Sequence, residues 1–495
     1  MKFSADNLVY PGIFLIILLS FFTFSENFFP LLTSDMAVNI LMTPSFSLPH
    51  DIYFWGQDRS GNLIPFITHY LYTFTGWAHV FLVSIVHYLV LTAGFLALTR
   101  FVKSGYGRIC LALIWFFPPW HFLEFLLILY GIQASCVLLA LNFLDRSFGT
   151  KVQWKCLAWL SSSCLMFIVA VWVSDMALIS LFALLLLGSL YYLLTFRDPV
   201  KLVVRRGLLV PAFIVAFWLV AGYLLLHYAK SVSTPVQIYN KGFLADPVSL
   251  VSTVKIVYNS VIGVFLFASE SSIESVYSWV LLLSIPLMWI SKNKHQMTRL
   301  KITENPWFYF FLFEAILTLA AVIFSSWVAA NGAGRRYFTT FFISAWISLI
   351  IWLENAPKNK WKTKMKIILA IVVVIGSLSG CFRFYYPQIK PSRIRILSAM
   401  RSMGDIGIIA EYWNSYLTAS PDPVHIKATP HDKDYVRNPE LATEVFLQSR
   451  IYLIKDGWLE SFPDSIVQFG RVLKKRGNSI HLADSWLNRY EVVKK

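Results

Sequence analysis

Apolar residues in this chain come in long, nearly uninterrupted runs. They show neither the alternation of a half-buried strand nor the three-and-four spacing of a surface helix. Runs of this kind with almost no charge predict membrane-spanning helices. About eleven are expected: Leu8–Phe24, Trp77–Leu98, Ile109–His121, Leu123–Phe143, Cys156–Val173, Ala177–Phe196, Gly207–His227, Tyr277–Ile290, Trp307–Ala330, Tyr337–Leu353 and Ile367–Phe384. Several fall short of the roughly 20 residues that cross about 30 Å of hydrocarbon. Two long loops interrupt the runs, at about 25–76 and 228–276. Each carries an apolar piece. Leu63–Phe74 reads as an amphipathic helix lying in the membrane interface. Ile256–Phe267 reads as a re-entrant or interfacial helix, or as a further span.

From about Pro387 the pattern changes. Strand-like pieces are expected at Ile406–Ala410, Val424–Ala428, Ile451–Ile454, Ser479–Leu482 and Tyr490–Val493. Helix-like pieces are expected at Glu411–Ala419, Leu441–Gln448 and Ser465–Lys475. The fold class expected is a polytopic α-helical membrane protein, residues 1–386, with a small C-terminal α/β domain, residues 387–495, on the outer face.

Composition agrees with the runs. Of 495 residues, 57% are hydrophobic and only 14% charged, against about 25% charged in a soluble globular chain. The net charge of +16 would suit a nucleic-acid partner if it formed a stripe. Instead the Lys and Arg fall in alternate short loops, such as Arg100, Lys103 and Arg108, Arg197 to Arg206, and Lys358 to Lys366. That is the positive-inside signal. It puts the N-terminus in the cytoplasm and the C-terminal domain outside, and it excludes nucleic acid as the expected partner. The five cysteines lie in or beside apolar runs without metal or disulfide spacing. The first run lacks a small-x-small cleavage site and reads as a retained anchor. The absence of an Asn-x-Ser/Thr acceptor favours a bacterial inner membrane over a secretory compartment.

The candidate chemistry sits at the outer ends of the runs. Asp35, in Thr33-Ser34-Asp35-Met36-Ala37, follows the first run. The tetrapeptide Ser-Asp-Met-Ala returns at Ser174–Ala177 and places Asp175 after another outward run. One acid at such a place is ordinarily an interfacial loop acid. A sugar transfer at a membrane surface, however, needs a carboxylate to take the proton of an attacking hydroxyl. It also needs a cation to meet a phosphate leaving group. Asp35 can supply the first need, and Arg59, Arg335 and Arg336 the second. His50 and Asp51 are adjacent, but sequence neighbours point apart in regular structure. His121 and Glu124 read as a polar pair at a helix end. Glu314, inside a span, is the costliest charge in the chain.

These features resemble the GT-C superfamily of integral-membrane glycosyltransferases, in the bacterial branch related to protein O-mannosyltransferases and aminoarabinose transferases. The resemblance lies in five short stretches: Thr33–Met36; Tyr53-Phe54-Trp55-Gly56-Gln57-Asp58-Arg59-Ser60-Gly61-Asn62-Leu63-Ile64-Pro65; Asp175; Gly334-Arg335-Arg336-Tyr337-Phe338; and Ala410-Glu411-Tyr412-Trp413-Asn414. It implies an enzyme, a glycosyltransferase, that moves a sugar from a polyprenyl-phosphate donor at the outer face. The acceptor would be a glycan, a lipid or a protein. It implies Asp35 as general base and Asp175 as a second site acid. Arg59, Arg336 and Tyr337 would bind substrate, with Asp58 and His50 beside them. A divalent metal is possible, but only Asp35, Asp175, Asp51 and Asp58 offer themselves as ligands. The rival expectation is a multi-span transporter or lipid flippase.

Overall fold

The computed structural model describes residues 8–195, 209–233, 244–265, 302, 304–355, 360–385 and 388–493. The expected span Tyr277–Ile290 lies outside them. So do the basic residues expected from Arg197 to Arg206.

The chain opens with α1 (Val9–Phe24), α2 (Ser34–Met42), α3 (Leu63–Thr75), α4 (His79–Leu98) and α5 (Gly105–Phe116). After these come α6 (Glu124–Leu127), α7 (Leu129–Gly149), α8 (Gln153–Val173) and α9 (Ala177–Thr195). Further long helices cover Leu209–Val232, Pro247–Phe265, Pro306–Phe324, Thr339–Asn355 and Lys360–Tyr385. Among the described residues, seven helices are long and apolar enough to cross a membrane, or eight if one bent pair counts as a span. The chain is a multi-pass membrane protein with a C-terminal β-sheet domain, as its apolar runs predict.

The bent pair corrects the expected run Ile109–His121. Helix α5 stops at Phe116, and the chain turns by 69° before Trp120–Leu127. Pro118 and Pro119 account for this. Neither has an amide hydrogen to continue the ladder, and each disfavours helical backbone in the residue before it.

The chain divides into two compact units. One consists of Met1–Ser20, Val90–Tyr223 and Tyr239–Ile389. It holds most of the long helices. In its interior Glu314 is only 5% exposed, and its two carboxyl oxygens accept from the Ser180 and Ser344 hydroxyls. The second unit consists of Phe21–Leu89, Leu224–Ile238 and Lys390–Lys495. The first long loop therefore folds together with the C-terminal residues, as one body.

In that second unit, α2 begins where Thr33 caps it, its side chain accepting from the Met36 amide. Asp35 occupies the first turn, where the exposed amides favour negative charge. Helix α3 matches the expected amphipathic helix. It ends at Gly76, whose φ of +64° suits the left-handed stop of a helix. Tyr70, Leu71 and Phe74 stay exposed on it.

The C-terminal sheet has six strands: β1 (Ile406–Ala410), β2 (Ile426–Pro430), β3 (Ile451–Lys455), β4 (Ser465–Gln468), β5 (Arg471–Leu482) and β6 (Ser485–Val492). Their order is β2-β1-β3-β6-β5-β4. β1 pairs in parallel with β2 and β3, and the other pairings are antiparallel. Helices Tyr412–Ala419 and Pro439–Leu447 connect the parallel strands. Ile409, Val445, Ile451, Leu453, Leu473 and Tyr490 form its core. The expected helix Ser465–Lys475 is instead the β4–β5 hairpin, with Gln468 opposite Arg471. Phe469 and Gly470, at φ +50° and +72°, make a two-residue turn with both central residues left-handed. Such a turn matches the twist of paired strands and cannot continue a helix.

Candidate active site

Asp35 is reached from the C-terminal domain. Arg437 Nη2 donates to Asp35 Oδ1 at 3.1 Å, and the Tyr412 hydroxyl donates to the same oxygen at 3.2 Å. Arg437 Nε donates in turn to the Tyr412 oxygen. The three side chains close a ring of hydrogen bonds. Both protein contacts fall on Oδ1, and among the described residues none falls on Oδ2. The Asp35 side chain is 39% exposed, whereas that of Arg437 is 9% exposed. One oxygen is thus fixed and the other is open.

Each partner is positioned by the fold. The Ser34 hydroxyl donates to the Trp413 carbonyl at 2.8 Å, which ties α2 to helix Tyr412–Ala419. Glu411 gives that helix no side-chain cap. Asp434 does so from another segment: its carboxylate accepts from the amides of Tyr412 at 2.8 Å and Tyr435 at 2.7 Å. Arg437 is held by its own amide, which donates to the Tyr416 hydroxyl at 3.0 Å. Its guanidinium lies 4.9 Å from the Phe54 ring centroid, 5.3 Å from Tyr412 and 5.0 Å from Tyr435. Such contacts contribute on the order of 0.5–2 kcal/mol each.

The electrostatics follow from burial. Burial, reinforced by the Asp35 charge, pushes the Tyr412 hydroxyl well above the ordinary tyrosine range, so it remains a donor. Burial also pushes Tyr416 up to about 12, against the opposing pull of Arg437. For Arg437, burial opposes the charge. Tyr412 and Asp35 outweigh that cost and hold the guanidinium above its usual value.

The loop before α3 supplies the floor. Tyr53 and Gly61 form an antiparallel bridge, and the Phe54 amide donates to the Ser60 carbonyl at 3.0 Å. Gly56 has φ +69° and packs so tightly that a Cβ there would stand 3.1 Å from the Tyr435 hydroxyl. That hydroxyl donates to the Gly56 carbonyl. Asp58 and Arg59 lie half-buried in this hairpin loop.

His50 and Asp51 correct the expectation that they point apart. Residues 47–51 form a turn, not regular structure, and His50 Nδ1 lies 3.0 Å from Asp51 Oδ1. Asp51 also accepts from the Ser47 amide at 2.8 Å and from Trp55 Nε1 at 3.0 Å. It is 4% exposed and holds the loop together.

In the other unit, Asp175 is exposed in the turn between α8 and α9. The side-chain hydrogen bond to the Met176 amide comes from Ser174. Met176 packs against the cluster of Val322, Val328, Ala333 and Tyr337. Tyr337 accepts from Arg336 Nη2 at 3.1 Å, and the guanidinium lies 5.1 Å from its ring centroid. Arg335 Nη1 lies 3.1 Å from His121 Nε2. The turn that carries Asp175 thus adjoins the Arg336–Tyr337 turn within this unit.

A divalent ion does not fit the Asp35 site as built. Hard cations take six or more oxygens. Asp35 Oδ1 already carries two donors, and Asp51 is consumed by its own turn. Among the described residues no group of three His, Cys, Asp or Glu side chains is placed to hold a metal.

The residue that the motifs do not single out is Arg437; Tyr412 lies in the quoted stretch Ala410–Asn414, but with no role attached to its phenol. For Arg437 the sequence offers Asp434-Tyr435-Val436-Arg437 just ahead of the helix start Asn438-Pro439. Nothing in it points 402 positions back to Asp35.

No family model matches the sequence, and no curated protein sequence matches it. Among solved structures, the fold is similar to the oligosaccharyltransferase of Archaeoglobus fulgidus in the apo form, at TM-score 0.45 and 11% identity. That alignment covers 92% of this chain and 70% of the other. It is similar to ArnT from Cupriavidus metallidurans bound to undecaprenyl phosphate, at TM-score 0.45 and 10% identity over 98% of both chains. It is also similar to the arabinosyltransferase EmbB from Mycobacterium smegmatis, at TM-score 0.34 and 13% identity over 77% of this chain and 41% of that one. With every one of these TM-scores under 0.5, the likeness assigns neither a family nor an activity.

Proposed function

We propose that this chain is a GT-C-type glycosyltransferase of a bacterial inner membrane, using a polyprenyl-phosphate sugar at the outer face. The observation that carries the reading is the Asp35 carboxylate. It stands in the first turn of the helix after α1, with one oxygen fixed and the other open. An acceptor hydroxyl would give its proton to Asp35 Oδ2 as its oxygen bonds to the anomeric carbon. The bond from that carbon to the phosphate oxygen would break, and its electron pair would leave on polyprenyl phosphate. Within the unit that carries Asp35 we assign Arg59 with Asp58 to the sugar-phosphate headgroup. Arg336, Tyr337 and Asp175, in the other unit, are substrate contacts on the ground of the sequence resemblance alone. The sheet domain, on the periplasmic side, would present the acceptor.

The test is transfer of label from a polyprenyl-phosphate sugar pool into lipid, glycan and protein fractions of membranes. Label in one fraction, lost with Asp35→Asn at matched expression, supports the reading and names the acceptor class. Label indifferent to Asp35 removes it.

Transport is the second reading, and Glu314 is the observation on its side. A cavity of about 20 Å³ lies against Glu314, Ser180, Ser344 and Gln133, enough for about one water. Among the described residues Gln133 Oε1 has no hydrogen-bond partner. Glu314→Gln would abolish solute movement in proteoliposomes on that reading, and would leave sugar transfer intact on ours.

A further inference from the structure

Asp35 carries its own cation. A carboxylate base at a phosphate-leaving reaction needs its charge balanced and its orientation fixed, and a divalent ion is one way to do both. In this chain the guanidinium of Arg437 supplies a positive charge directly on Asp35 Oδ1. The side chain has almost no exposure and is enclosed by the Phe54, Tyr412 and Tyr435 rings. Its Nε and Nη2 engage Tyr412 and Asp35, and its Nη1 points at the Trp55 carbonyl at 3.4 Å. The fork geometry of arginine suits this task, and a lysine point charge would satisfy only part of it. A second positive ion on Asp35 would be repelled by the guanidinium, and among the described residues no group of three His, Cys, Asp or Glu side chains is placed to share it.

We infer that Arg437 is a positioning residue that stands in for a divalent cation at Asp35, so that the base works without a bound metal. The groups that face Asp35 in this arrangement are Arg437 and Tyr412 directly. Tyr435 and Asp434 stand behind them on the same segment.

The kinetic part rests on the transferase reading, and the binding part does not. The experiment uses the full chain in lipid nanodiscs. Mn²⁺ titration followed by electron paramagnetic resonance is expected to show no site that Asp35→Asn removes. Transfer from a polyprenyl-phosphate sugar is expected to survive chelation by EDTA. Arg437→Ala is expected to lower kcat about 10²-fold while the donor KM changes by less than about threefold. Added methylguanidinium should restore part of that kcat, and Mg²⁺ should not. Arg437→Lys gives a second variant in case the alanine protein does not fold, with an intermediate kcat expected. Three results would overturn the inference: a stoichiometric Mn²⁺ site that depends on Asp35, loss of transfer on chelation with recovery on adding metal, or folded Arg437 variants with unchanged kcat. A wild-type protein that transfers no sugar at all would sink the transferase reading instead, and the Mn²⁺ titration would still decide the metal question.

Discussion

Asp51 and Tyr412 separate the two kinds of polar residue in the second unit. Asp51 accepts from Ser47, His50 and Trp55 and keeps a turn closed. Removing it would strand buried donors, each costing about 1–3 kcal/mol. Asp51→Ala is therefore expected to destabilise by about 2–4 kcal/mol, read as a lower unfolding temperature in nanodiscs. Tyr412 makes a pH prediction. Its hydroxyl is raised by burial and by Asp35. A raised folded value means that the stability from the neutral phenol is complete below about pH 10, the value of an unfolded tyrosine. It is lost as pH climbs through the folded value. The unfolding temperature is expected to fall in the wild type as pH rises above about 10, and Tyr412→Phe should flatten that decline. Asp35 is legible as a candidate from its place after the first run. The contacts it makes are not legible, because Tyr412 lies 377 positions away and Arg437 lies 402 positions away, and no local pattern links residues so far apart.

The elements were legible where one local rule governs them. Strand β1 and helix Tyr412–Ala419 fall within a residue of expectation, since apolar β-branched runs and a helix start are local signals. Helix α3 did too. The β4–β5 hairpin was misread because Ser465–Lys475 has apolar spacing compatible with a helix, and the Phe469-Gly470 turn outweighs that pattern. Helix α2 falls within the stretch expected as a loop: Thr33 ahead of Asp35 is a capping signal, but nine residues carry too few apolar positions to show a period. At this scale Gly56 makes the sharpest prediction. Its positive φ strains any side chain, and a Cβ there would press on Tyr435 and Arg437 at 3.1–3.4 Å. Gly56→Ala is expected to cost about 1–3 kcal/mol from backbone strain and to lower transfer by loosening the floor under Arg437. Parallel measurement of unfolding temperature and transfer rate checks both parts. Unchanged values for both would mean that the hairpin is not part of the site's support.

At the scale of the whole molecule, membrane insertion was written in composition, and the basic loops supply the orientation we propose. That orientation makes a labelling prediction. In a background without the native cysteines, Lys474→Cys on β5 should react with a membrane-impermeant maleimide in intact spheroplasts. Lys103→Cys, in the short loop after α4, should react only after permeabilisation. The reverse pattern would turn the chain over and place Asp35 on the wrong face for an outer-leaflet donor. What composition could not supply is the joining of the first loop to the C-terminal residues in one compact unit. That union depends on contacts such as Ser34 to Trp413, made between residues that no local pattern links.

The most direct test of the account is a defined reaction with purified full-length protein in nanodiscs and a synthetic polyprenyl-phosphate sugar, scoring released polyprenyl phosphate and glycosylated acceptor together. With wild type, the two products should appear in equal amounts. With folded Asp35→Asn, both should fall by about 10²–10⁴-fold, the usual worth of a positioned general base, while the donor still binds. Equal rates for wild type and Asp35→Asn would contradict the assignment of Asp35 as the base.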